Sequence, residues 1–205
     1  MKFRYILFNK PYGVLSQFTD EGTGHSILKQ YIDVPNVYAA GRLDRDSEGL
    51  LLLTDDGALI KRLTDPKHHL EKAYWVMVEG EPTQEKLTQL QRGIQLKDFL
   101  TLPAKIRLIP DPGLPLRSKP VTPHGPTAWI EIKLREGKKR QIRHMTAAVG
   151  LPTLRLIRVA IGPIRLGSLE PGNWRGLTMK EVEDLKNHSG KAKKSSSASS
   201  TYRYT

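Results

Sequence analysis

The stretch YAAGRLDRDSEGLLLLTDDG, residues 38–57, joins a turn crowded with charge to a run of four leucines. Residues 50–53 make an apolar run too short for a buried helix and are predicted to form a buried strand. Asp44, flanked by Arg42 and Arg45, therefore sits where a polar turn enters the core. GALIKRLT at 57–64 reads as a helix stopped by Pro66. The stretch is a strand-to-helix step whose polar half is held against apolar packing.

On its N-terminal side, FRYILF and VLSQF read as two short strands around the turn Asn9-Lys10-Pro11-Tyr12-Gly13, a hairpin-like opening. SILKQYI then has a short helical pattern. On the C-terminal side, EKAYWVMVEG alternates, so that Tyr74, Val76 and Val78 share one strand face and Ala73, Trp75 and Met77 the other. Pro82-Thr83 opens a helix through Leu87 and Leu90 to a stop at Gly93. Six prolines between 110 and 126 mark an irregular surface loop inside the domain. A second alternating strand follows from Ala128 to Leu134, then a helix over 138–149 with Ile142, Met145 and Val149 inward. Residues 153–169 read as a strand and turn, and Thr178 with Glu181 as a capping box before a short last helix. Strands and helices in this order, without a glycine-rich dinucleotide turn, predict an α+β domain with a mixed sheet.

The 205 residues allow one domain or two small lobes around a cleft. The formal net charge of +12 favours a polyanionic partner such as nucleic acid. Residues 186–205 contribute +5 of it without a single acid, and with six serines they are expected to be a disordered basic tail; residues 1–185, still at +7, are the folded unit. The absence of cysteine excludes disulfide frameworks, thiolate zinc sites and cysteine nucleophiles. The N-terminal apolar run is too short for a signal peptide or a membrane span, so the cytoplasm is the expected compartment and no membrane partner is expected. No phosphate-cradling GxxxxGK[ST] loop occurs, which argues against an ordinary nucleotide hydrolase.

Asp44, beside two guanidinium groups and entering the core, suits a nucleophile or general base; the plainer alternative is a solvated turn with local ion pairs. Asp44, Asp46, Glu48, Gly49 and Asp55 fall at positions 1, 3, 5, 6 and 12 of a calcium-loop template, but leucines fill its middle and Asp55 replaces the bidentate glutamate. No metal site is expected. In EGKKRQIRHM, Lys138, Lys139, Arg140 and Arg143 surround a predicted helix N-terminus, where phosphate contacts are the obvious use and a solvated basic face the plainer alternative; because they oppose the helix dipole, helix stability alone does not explain their placement. Lys72-Ala73-Tyr74 opens a strand with a tyrosine able to stack a base or move a proton, or simply to fill the core.

Together, NKPYGVLSQF at 9–18, YAAGRLDRDSEGLLLLTDDG at 38–57, EKAYWVMVEG at 71–80, EGKKRQIRHMTAAVG at 136–150 and LRLIRVAIGPIRLGSLEPGNWRGLT at 154–178 resemble RsuA-type ribosomal RNA pseudouridine synthases in order and spacing, with the nearest likeness to a branch acting on large-subunit rRNA. The resemblance implies a mixed, mainly antiparallel central sheet flanked by helices with a central RNA-binding cleft, and an isomerase that needs no cofactor or metal. It maps the catalytic aspartate onto Asp44, the tyrosine of the KxY segment onto Tyr74 and the arginine of the QIR segment onto Arg143, and places Leu156 against the target base. Arg143 is expected to pair with Asp44. Lys10, Arg42, Arg45, Lys72, Lys138, Lys139, Arg140, Gln141 and Arg158 are the expected RNA contacts beside Leu156. NKP begins at residue 9, so the small helical RNA-binding domain that many members carry ahead of it is not expected here. The expected partner is 23S rRNA or a large-subunit assembly intermediate, and the expected state a monomer. A non-catalytic RNA-binding assembly factor is the alternative.

Overall fold

In the computed structural model, residues 3–65, 67 and 70–190 are described, the side chains of 189 and 190 excepted. The leucine run extends at both ends into a strand, β3 (Glu48–Thr54), buried along its whole length. It is apolar on both faces because both are covered. Leu50 and Leu52 pack with Leu7 against Leu59 and Leu63 of helix α1 (Gly57–Thr64), while Leu51 and Leu53 pack with Ile6 and Phe8 over Leu28 and Val37. Asp56 caps α1, accepting from the Leu59 amide at 3.0 Å and from the Tyr5 hydroxyl at 2.9 Å.

β3 lies between β1 (Tyr5–Lys10), antiparallel to it, and β7 (Thr153–Ile161), parallel to it. With β2 (Tyr38–Ala39), β4 (Lys72–Glu79), β5 (Lys105–Ile109), β6 (Thr127–Leu134), β8 (Ile164–Arg165) and β9 (Trp174–Gly176), these form one sheet in the order β5-β6-β4-β7-β3-β1-β9, with β2 pairing β3 and β8 pairing β7. Every pairing but β3–β7 is antiparallel, as expected of a mixed, mainly antiparallel sheet.

The two-faced reading of β4 holds: Tyr74, Val76 and Val78 join Ile130 and Ile132 under α2 (Gln84–Arg92) and α3 (Gln141–Ala148), while Trp75 and Met77 face the other side. α2 starts at the Thr83 cap and ends at Gly93. The capping box is also present, with the Thr178 amide donating to Glu181 at 2.8 Å and the Glu181 amide to the Thr178 hydroxyl at 3.2 Å. The helix it opens, α4 (Met179–Gly190), passes through position 186, where the tail was expected to begin; residues 191–205 lie outside the described residues.

Two expectations fail. VLSQF makes one isolated bridge, Leu15 to Ile27, and no strand, so the N-terminal hairpin does not form; β1 pairs instead with β3 and β9. α3 begins at Gln141 rather than 138, because Arg140 takes the left-handed conformation at φ 52° and breaks the helical path. No helix is long and apolar enough to cross a membrane among the described residues.

Candidate active site

The sheet face that carries Tyr74 opens, at the β3–β7 junction, into a cavity of about 780 Å³. Asp44 enters it from the turn ahead of β3, Tyr74 and Lys72 from β4, Leu156 and Arg158 from β7, and Arg140 from the start of α3. Arg42, Lys138, Lys139 and Gln141 also line it. Ten of the thirteen residues expected from the sequence thus face one space.

The Asp44 turn is fixed by the segment expected to be a strand. Ser16 grips Leu43 twice, its hydroxyl donating to the Leu43 carbonyl at 2.8 Å and accepting from the Leu43 amide at 3.1 Å. The Gly13 amide donates to the Arg45 carbonyl at 2.8 Å, and the Ser47 amide to the Asp44 carbonyl at 3.0 Å. Residues 13–16 are therefore a clamp on the aspartate rather than a sheet element. Asp44 keeps 39% of its side chain exposed, towards the cavity.

Its expected partner is engaged elsewhere. Arg143 does not line the cavity; it donates to the Asp46 carbonyl at 2.9 Å and to the Thr153 carbonyl at 3.3 Å, and its Nη2 lies 3.3 Å from the Asp46 carboxylate. The guanidinium nearest Asp44 is that of Arg140, at 4.0 Å, which also forms a two-pronged pair with Asp46 at 3.1 Å on both oxygens. Asp46 is thus the carboxylate that joins the two arginines. Burial works to raise its pKa, but the Arg140 hydrogen bonds and the charges of Arg143 and Arg140 outweigh that and hold it below the ordinary carboxylate value. Sequence reasoning assigned Asp46 no part in the site; its place two residues after Asp44, between arginines, was the available signal.

Lys10 is corrected as an RNA contact. It is fully buried, and its ammonium donates to the carbonyls of Pro11 at 3.0 Å, Val14 at 2.8 Å and Arg45 at 3.5 Å. Burial pushes its pKa down to about 7. It braces the Asp44 turn from beneath. Gln141 is likewise committed to its own loop, accepting from the Lys138 amide at 3.1 Å and donating to Glu136. Arg45 points outside the cavity to His25, at 3.0 and 3.1 Å from its ring nitrogens. Lys138 lies over the Phe99 ring, 3.4 Å from its centre. The acids of the calcium template diverge, since Glu48 points away to a buried two-pronged pair with Arg155 at 2.8 Å on both arms.

A cleft that brings the Asp44 carboxylate and Tyr74 into one cavity, under a rim of lysines and arginines, belongs to the class of enzymes that do chemistry on a polyanion. Residues 4–148 match the RNA pseudouridylate synthase family, and the chain belongs to it. It is 52% identical over 178 residues to a ribosomal large subunit pseudouridine synthase E of Vibrio vulnificus, covering 86% of this chain and 76% of that one. It is 55% identical over 174 residues to a protein of the same name in Xanthomonas campestris pv. campestris, covering 83% of this chain and 93% of that one. A solved structure described as a pseudouridylate synthase superposes with a TM-score of 0.76 at 33% identity, covering 90% of this chain and 74% of that one. The fold is that of pseudouridine synthases.

Proposed function

We propose that the protein isomerises a specific uridine of large-subunit ribosomal RNA to pseudouridine. The reading rests on one observation above all: Asp44 is held, exposed, in a cavity whose rim is basic. For a protein that only binds RNA, a carboxylate in the phosphate path is repulsive and brings no advantage. Two relatives more than half identical over most of this chain, both called large subunit pseudouridine synthase E, supply the RNA class.

The reaction breaks the N1–C1′ bond, turns the freed uracil in the pocket and joins C5 to C1′; the C5 proton leaves and N1 gains one, so that no proton is lost overall and no water is consumed. The target base must leave its helical stack, at about a few kcal/mol recovered through stacking and phosphate contacts. Tyr74 and Leu156, on neighbouring strands with Tyr74 opposite Arg158 and Leu156 opposite Val76, offer the two apolar surfaces between which the base lies. Asp44 acts as the nucleophile at C1′ or C6, or as the base that takes the C2′ proton. Arg140 balances its charge, and Arg143 reaches it through Asp46. The substrate is 23S rRNA or a large-subunit assembly particle in the cytoplasm, and the protein works as a monomer.

The test is to incubate wild type and Asp44→Ala with large-subunit rRNA lacking pseudouridine and to map carbodiimide adducts by primer extension. One new stop with wild type alone, at RNA affinities within about threefold, is the expected result. Binding without a stop, on naked rRNA and on precursor particles alike, would support an assembly factor instead.

A further inference from the structure

Two cations in the cavity wall meet no acid. Arg158 stands opposite Tyr74 on β7, and Lys72 is two residues before Tyr74 on β4, so both flank the tyrosine on its own sheet face. Arg158 is 4% exposed; its Nε donates to the Leu50 carbonyl at 2.8 Å, and its Nη2 is buried without a hydrogen-bond partner. Lys72 forms no side-chain hydrogen bond or ion pair among the described residues.

The acids of the same cavity are placed elsewhere. Asp44 is nearest Arg140, Asp65 accepts from the Lys67 amide at 2.9 Å, and Glu136 accepts from the Leu102 amide at 2.8 Å and from Gln141. Burial first, and then the charge of Arg158, lower the Lys72 pKa to about 8. Two desolvated like charges without a counter-ion destabilise the empty fold. A buried guanidinium nitrogen left unpaired adds a further cost. An anion between them would relieve both.

The surroundings indicate which anion. A β-carbon on Gly137 would lie 3.9 Å from the Lys72 ammonium, so Lys72 adjoins the loop bearing Lys138 and Lys139. Lys72 therefore connects the cavity floor beside Tyr74 with the loop that carries two of the rim cations. A backbone phosphate is charged throughout the reaction and matches these cations, whereas uracil is anionic only after its bond to C1′ has broken. We infer that Lys72 and Arg158 form a seat for one RNA phosphate, that of the nucleotide whose base lies on Tyr74 or of its immediate neighbour. The inference rests on the pseudouridine synthase reading.

The experiment compares full-length wild type, Lys72→Met and Arg158→Gln for binding to a large-subunit rRNA transcript at about 50 to 200 mM KCl, with pseudouridine mapped in the same samples. Removing one phosphate contact should make the slope of log affinity against log salt shallower by about 0.7 to 0.9. Lys72→Met is expected to bind several-fold more weakly at low salt and to converge on wild type as salt rises. A slope equal to that of wild type, whatever happens to turnover, overturns the seat and assigns the cations to the base. If Arg158→Gln does not fold, Lys72→Met decides alone. Absence of pseudouridine with wild type removes the enzymatic reading independently, since the slopes are read from binding.

Discussion

Asp46 holds both arginines of the site, and replacing it separates charge from shape. Asp46→Asn keeps an acceptor for Arg140 while removing the charge shared by Arg140 and Arg143. Loss of charge-assisted bonds of about 1.5–3 kcal/mol should lower single-turnover rates by roughly tenfold or more, with RNA affinity little changed. A carboxylate whose folded pKa is depressed contributes fully above its unfolded pKa and loses that contribution as pH falls through the folded value. The ratio of wild-type to Asp46→Asn rates should therefore stay flat between about pH 6 and 8 and narrow only in acid; a ratio that varies across neutrality would show another titrating group in control. That Asp44, Tyr74 and Leu156 face one cavity was legible in the sequence through a resemblance in motif order, but the exchange of partners was not. Nothing in the spacing of residues 44, 46, 140 and 143 tells which carboxylate an arginine on a distant helix will meet, nor that Arg140 stands in a left-handed turn ahead of α3.

At the scale of elements, the weak point is the β3–β7 seam, where only Glu48–Ile157 and Gly49–Arg158 pair. Gly49 has φ +97°, and a β-carbon there would collide with the Arg158 carbonyl and lie 2.8 Å from the Ile157 side chain. Gly49→Ala should destabilise the protein by about 3 kcal/mol or more, measured by urea unfolding. A smaller loss would mean that the seam can spread without cost. The end of β1 adds a pH signature. Buried Lys10 binds fewer protons than in the unfolded chain between about pH 7 and pH 10, so stability should rise with pH across that window. Lys10→Met should flatten the rise, as followed by Tm. Elements whose pattern is satisfied by their own two faces, such as β3, β4, α1 and α2, could be read from the chain. VLSQF could not, because its alternation is that of a strand while its exclusion depends on pairing: β3 and β9 occupy both edges of β1 and leave no edge to join.

For the whole molecule, charge acts at longer range than any contact. Deleting residues 191–205 removes four cations and takes the formal charge from +12 to +8. It should make the salt dependence of RNA binding shallower while the modified uridine stays the same; a changed site would give these residues a part in selection. The deletion point matters, since α4 carries Lys186, whose ammonium lies 3.5 Å from Asp56. The sheet itself is built around an interruption in the chain. β4 to β7 are contiguous in sequence, whereas the strands beyond the seam are β1, β2 and β3, which precede them, and β9, which follows them. During synthesis the outer edge of β1 must therefore wait, unpaired, until residues 174–176 have left the ribosome. The half that holds Asp44 is closed by a segment made after all the residues that line the cavity, so a chain stalled before residue 174 would carry every one of them and still lack the strand that completes their frame.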